Sequence, residues 1–273
     1  MNPIEQFKLE VNRNISGLGQ DKELHALSNK WLHDISKHKY PYNFEWLGRP
    51  IIQIPQDMVA LQELIFSVKP DLIIETGIAH GGSLVYSASI LALLDYCDAV
   101  ETDEVLDPKN PKRKVLGIDI DIRAHNRAAI EAHPMAKRIE MIEGSSIATD
   151  VITRVHAVAA RHGTVMVILD SNHTHEHVLA ELEAYAPLTS QGSYCIVFDT
   201  LIEDMPDEMF EDRPWGKGNN PKTAVWEYLR RLKLQGRKAN DGKDFQLEID
   251  KMIDSKLLLT VAPNGYLKRV TKS

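Results

Sequence analysis

One aspartate and three histidines crowd residues 169–177, LDSNHTHEH, where Asp170 is followed by His173, His175 and His177. A histidine titrates near neutrality, and one placed three residues past a metal-binding carboxylate can take a proton from a metal-bound hydroxyl. A second carboxylate, Asp199, closes the run SYCIVFDT. If both runs are neighbouring strands, Asp170 and Asp199 meet at adjacent tips and repel each other unless a cation such as Mg²⁺ or Ca²⁺ lies between them. The expected metal ligands are therefore Asp170 and Asp199, and the expected catalytic residues are His173 and Asp170. The same stretch admits a second chemistry, an oxygenase or hydrolase that holds a transition metal on Asp170, His173 and His177. Otherwise His175 and His177 read as capping or decorating the next helix.

A second set of residues points to a nucleoside-type ligand. In PDLIIETGIAHGGSL, residues 70–84, a buried-strand run passes through Glu75 into a turn punctuated by Gly77, Gly81 and Gly82, then into an apolar helix. Glycine lets the backbone approach a ligand, and the helix start offers unpaired N–H groups. Glu75 would repel a phosphate and attract a cationic amine or sulfonium. Asp119, at the end of the next strand, is placed to accept from the two hydroxyls of a ribose. Its distance from Gly77 exceeds the ~20 residues of a dinucleotide fold, an excess assigned to a polar, proline-broken insertion at 95–114. Ser145 and Ser146 follow the third strand, where they would meet an adenine edge or cap a helix.

These residues need an alternation of strands and helices to bring them to one edge of a sheet. Runs such as VLGIDIDI, RIEMIEGSS, TVMVILDSNH and SYCIVFDT, separated by helix-length spacers, predict an α/β fold with a doubly wound, mostly parallel sheet. Residues 1–52 form a helical and aromatic arm, and residues 53–273 the ligand-binding domain, with 201–221 as a lid loop. Near the end, FQLEIDKMI reads as helical, and Asn264-Gly265 between two apolar runs predicts a hairpin with an antiparallel last strand. Tyr40, Tyr42, Phe44 and Trp46 alternate with polar residues or proline, an aromatic arm suited to packing on the core or in a homo-oligomer. Trp46 and Trp215 are candidates for stacking on a sugar face.

The net charge of −7 excludes a broad nucleic-acid face, because phosphate binding needs clustered Lys and Arg. Two cysteines, Cys97 and Cys195, make no disulfide framework and fit a reducing cytoplasm. The N-terminal residues carry acids and no apolar h-region, so no signal peptide is expected, and no uninterrupted membrane span is read.

Taken in order, KPDLIIETGIAHGGSL, GIDIDI, EGSS, LDSNHTHEHVLAELEAYAPL, SYCIVFDT and NNPKTAVWEYL resemble the cephalosporin hydroxylase family, a branch of class I S-adenosylmethionine-dependent O-methyltransferases. The resemblance covers about residues 50–235. It implies a Rossmann-like seven-stranded sheet with a reversed last strand. It also implies S-adenosylmethionine bordered by Glu75, Gly77 and Ser83, held at its ribose by Asp119 and lying near Ser145 or Ser146, with Mg²⁺ on Asp170 and Asp199. His173 stands where related sugar methyltransferases have their base, and the implied acceptor is a hydroxyl of a sugar or glycosylated metabolite. Phe198 departs from the family's Glu-Asp pair. Thr200, Glu203, Asp204 or water would then complete the metal shell, or the chain would be a non-catalytic partner that keeps only the nucleotide pocket.

Overall fold

The computed structural model describes residues 2–271. The chain enters through α1 (Pro3–Gln20) and α2 (Lys22–Ser36). Asn2 caps the first by accepting from the Ile4 and Glu5 amides while Glu5 returns to the Asn2 N–H, and Asp21 caps the second, satisfying donors a helix start leaves free. The aromatic segment starts as a 3₁₀ turn, Tyr40–Asn43, and continues as an antiparallel ribbon, β1 (Phe44–Trp46) and β2 (Arg49–Ile51), followed by α3 (Pro55–Val68).

The alternating part then runs β3 (Leu72–Thr76), α4 (Gly82–Thr102), β4 (Lys114–Asp119), α5 (Ala124–Glu131), β5 (Ile139–Glu143), α6 (Thr149–Ala159), β6 (Val165–Leu169), α7 (His175–Tyr185), β7 (Tyr194–Val197) and α8 (Pro221–Gln235). It closes with β8 (Leu247–Ile249), α9 (Lys251–Lys256) and β9 (Tyr266–Arg269). Seven strands form one sheet in the order β5-β4-β3-β6-β7-β9-β8, with β9 antiparallel to both of its neighbours. This is the doubly wound sheet with a reversed last strand that the sequence predicts.

Every residue of β3 is buried, as a central parallel strand covered on both faces must be. Its side chains alternate between two cores. Leu72 and Ile74 face the one shared with α6, α7 and α8, and Ile73 faces the one shared with α3, α4 and α5. Because β3, β4, β6 and β7 all point the same way, their C-terminal ends bring Glu75, Asp119, Asp170 and Asp199 to one edge.

Three expectations need correction. The supposed insertion from residue 95 is helical as far as Thr102, and only the stretch after it is irregular; in DYCDAVET Tyr96 and Val100 are exposed and Asp95 and Asp98 pair with Arg113, so its polarity marks a helix end at the surface and not a stop. At 21 residues α4 is also long and apolar enough to cross a membrane, but it is a core helix, with Leu84, Val85, Ala88, Leu91 and Leu94 buried. FQLEIDKMI divides into β8 and α9, because pairing with β9 along an edge decides a segment whose own pattern suits either state. The Asn264-Gly265 turn leads into β9, yet the apolar run before it is not a strand, so no hairpin forms there.

Asp57 ties this end of the chain to α3. Its buried carboxyl accepts from Thr260 Oγ1 at 2.5 Å, the Val261 amide at 2.9 Å and the Tyr266 hydroxyl at 2.9 Å. Burial nevertheless pushes its pKa up to about 6, against the lowering effect of those bonds. Removing the acceptor strands three donors, so Asp57→Ala is expected to cost about 2–3 kcal/mol in urea denaturation; a loss under about 0.5 kcal/mol would contradict this.

Candidate active site

The turn after β3 is built to let two strands' ends touch. Gly77 has φ of +91°, a region open to glycine and costly for other residues, and a Cβ there would overlap the carbonyl oxygen of Asp170. Ala79 is also left-handed, with φ of 46°. Its carbonyl accepts from Asn126 Nδ2 at 2.9 Å, and the carbonyl of His80 accepts from Arg49 Nε at 3.1 Å. The ribbon thus clamps the glycine turn from above.

Asp119 closes the turn from the other side, its Oδ2 accepting from the Ile78 and Ala79 amides at 2.8 and 3.2 Å. Beside it lies a cleft of about 120 Å³ lined by Gly77, Asp119, Ser145, Ser146, Ser171 and His177, among others. Ser145 and Ser146 do not cap α6, whose N-cap is Ala148; they face this cleft. His177 lies in the first turn of α7, as expected, and from there it also lines this cleft. Its Nε2 lies 3.0 Å from Ser146 Oγ and 3.6 Å from the buried Glu181. The spacing of His177 and Glu181, one helical turn apart, was the available signal.

Gly77 and Ser171 also border a second cavity of about 280 Å³. Ser83, Asp170, His173, Asp199 and Gln53 line it as well. His173 Nε2 is 3.1 Å from Asp199 Oδ2, and its ring meets Trp215 edge-on at 4.7 Å. One ligand atom each of Asp170, His173 and Asp199 lie within 4.8 Å of one another, a spacing that fits a single divalent ion. His177 is not among them, so the set Asp170, His173, His177 expected for a transition-metal oxygenase or hydrolase is not assembled.

The electrostatics call for a cation. Burial pushes Asp170 well above the usual carboxylate range, and the next contributors, Asp199, Glu75, Glu181 and Asp57, are all acidic. Glu75 is buried and accepts from the Ser83 hydroxyl, while its other oxygen has no partner. Burial, opposed by that hydrogen bond, raises its pKa to about 7. Gln53 Oε1 is likewise buried and unpartnered, and both side chains line a small inner cavity with Asp170 and Phe198.

Phe198 is core, 3% exposed, and supplies no ligand. The residues expected to replace it are engaged elsewhere. Thr200 donates to the Pro263 carbonyl at 2.8 Å, Glu203 accepts from Asn220 Nδ2 at 2.5 Å and Gly218 N at 2.8 Å, and Asp204 pairs with Lys222. Trp46 is not at the cavity either. It packs on Tyr86 at 4.9 Å and donates to Ser89 at 2.9 Å.

The pattern of the family described as rhamnosyl O-methyltransferase/CmcI matches residues 38–270. This chain belongs to that family. It is 29% identical over 242 residues to a rhamnosyl O-methyltransferase of Mycobacterium tuberculosis, covering 85% of this chain and 83% of that protein. A rhamnosyl O-methyltransferase of Mycobacterium leprae is 28% identical over 240 residues, covering 85% of this chain and 88% of the relative. Among solved structures, CmcI with Mg and SAM superposes with a TM-score of 0.52 at 16% identity, covering 84% of this chain and 78% of that one. Family membership and fold thus agree with the resemblance read from the motifs.

Proposed function

We propose that the chain is an S-adenosylmethionine-dependent, Mg²⁺-assisted O-methyltransferase acting on a sugar hydroxyl. The observation that carries this reading is that two cavities share a wall. Gly77 and Ser171 line both the cleft at Asp119 and the chamber where Asp170, His173 and Asp199 converge. The relatives' rhamnosyl specificity supports the sugar.

Asp119, Ser145 and Ser146 would hold the nucleoside, and Glu75, Ser83 and Asp170 the charged methionine end. Asp170 and Asp199 would hold Mg²⁺, which when bound lowers the pKa of an oxygen it touches. His173 would take the acceptor's proton. S-adenosylmethionine, when bound, would supply the methyl group to that oxygen and depart as S-adenosylhomocysteine. Positioning supplies much of the acceleration.

Calorimetric titration of S-adenosylhomocysteine, with Mg²⁺ and with EDTA, tests the pocket; absence of binding in both buffers would overturn the reading. Protonation adds a second expectation. A cation beside Glu75 favours its carboxylate, so binding expels the proton held below pH of about 7. S-adenosylmethionine affinity should therefore rise from about pH 6 to pH 8 and level off above, with net proton release in that window. A flat profile would remove Glu75 from the cofactor's charged end.

A further inference from the structure

We infer that Glu181 of α7 is a positioning residue that fixes the direction of the hydrogen bonds in the cleft at Asp119, so that the cleft accepts adenine and rejects its deaminated counterpart, hypoxanthine. The inference deepens the O-methyltransferase reading and rests on it. His177, Glu181 and Tyr185 follow one another at single-turn spacing along one face of α7. Two of them hold Ser146 at separate points: the Tyr185 hydroxyl donates to its carbonyl, and His177 Nε2 lies 3.0 Å from its Oγ. Glu181, between them, is 0% exposed. Its Oε1 lies 2.6 Å from Ser171 Oγ and 3.6 Å from His177 Nε2, and its Oε2 has no partner among the described residues. Burying a carboxylate this incompletely bonded costs stability. Glu181 stands outside the converging set of Asp170, His173 and Asp199, so the proposed chemistry does not account for it.

A carboxylate only accepts hydrogen bonds, which removes the choice that hydroxyl and imidazole neighbours otherwise have. Ser171 donates to Glu181 Oε1 and so turns its lone pairs toward the cleft that it lines. The His177 nitrogen facing the carboxylate carries a proton, and at 3.0 Å it donates to Ser146 Oγ. The Ser146 hydrogen is thereby left for the cleft, which Ser146 also lines. One acceptor and one donor are then presented together. Adenine matches the pair with an amino group that donates and an N1 that accepts. Hypoxanthine reverses both, with a carbonyl and an N1–H. Glutamine at position 181 would offer N–H as well as C=O and leave both hydroxyls free to turn either way.

The test is calorimetric titration of S-adenosylhomocysteine and S-inosylhomocysteine into the full-length protein. The native protein should bind the adenosyl ligand about 10²-fold or more tighter, because the inosyl ligand opposes donor to donor and acceptor to acceptor. Glu181→Gln should cut that ratio by about tenfold or more, chiefly by weakening the adenosyl ligand. If Glu181→Gln shows no cooperative thermal transition, the same criterion is applied to His177→Ala, which severs the carboxylate from Ser146 at a half-buried position. A side chain that only packs would, when replaced, weaken both ligands alike and leave the ratio as it was. That outcome, or a native ratio below about tenfold, would overturn the inference. Failure of S-adenosylhomocysteine to bind the native protein would instead strike the methyltransferase reading.

Discussion

His173→Ala is expected to slow methyl transfer by about 10²–10⁴-fold, the usual contribution of a positioned general base, while S-adenosylhomocysteine binds with unchanged affinity. The separation follows from geometry. The imidazole lines the chamber and not the cleft at Asp119, and it lies between the Asp199 carboxylate at 3.1 Å and the Trp215 ring at 4.7 Å. Its loss therefore removes a proton acceptor without touching Asp119, Ser145 or Ser146. Single-turnover rates are the right readout, because product release can mask a slower chemical step in kcat. A variant with undiminished rate would show that another group takes the proton.

Asp199 needs its own comparison, because it contacts the base and belongs to the candidate metal set. Its backbone is left-handed, with φ of 55°, a conformation asparagine also accepts. Asp199→Asn therefore keeps the shape and removes the charge. Weakened Mg²⁺ binding together with a slower rate would assign the carboxylate to the ion. Unchanged Mg²⁺ affinity with a slower rate would assign it to orienting His173.

The parts of the site legible in the sequence were those whose signal is local. A buried-strand run followed by glycines announces β3 and its turn, and acids at strand ends announce Asp119, Asp170 and Asp199. Strand direction then brings them together without further information. Residues that depend on tertiary juxtaposition were not legible. Gln53 reaches the chamber from the link between ribbon and α3, Arg49 clamps a turn 31 positions away, and α2 walls a cavity whose other side lies beyond residue 200. Trp46 shows the converse: the alternation holds only for the half-buried Phe44 and Trp46, while Tyr40 and Tyr42 lie in a 3₁₀ turn with Tyr42 exposed, and the Trp46 ring packs on Tyr86 of α4 and not at the cavity. Edge strand β8 was hidden because three residues carry too little periodicity to outweigh the helical pattern that continues into α9.

Gly77→Ala should have the broadest effect of any single methyl group added to this protein. Two independent penalties coincide at the position. The backbone sits at φ of +91°, where a Cβ is strained whatever surrounds it, and the new carbon would overlap the carbonyl of Asp170. That carbonyl belongs to the residue whose own amide donates to Thr76 O at 3.0 Å, so the β3 and β6 tips cannot part without breaking their ladder. Strain of about 1–3 kcal/mol at such a site, added to the displacement, should lower stability measurably in thermal or urea unfolding. The loss of function should be larger, because Gly77 borders both cavities and Asp170 is one of the three side chains that converge in the chamber. Cofactor affinity and catalytic rate are expected to fall together, unlike in His173→Ala. Gly192→Ala is the control: that glycine is also left-handed, at φ of +79°, but nothing lies within 4 Å of its added Cβ, so it should lose some stability and keep cofactor binding. Equal behaviour of the two variants would mean that the contact between the glycine turn and Asp170 does not shape the site.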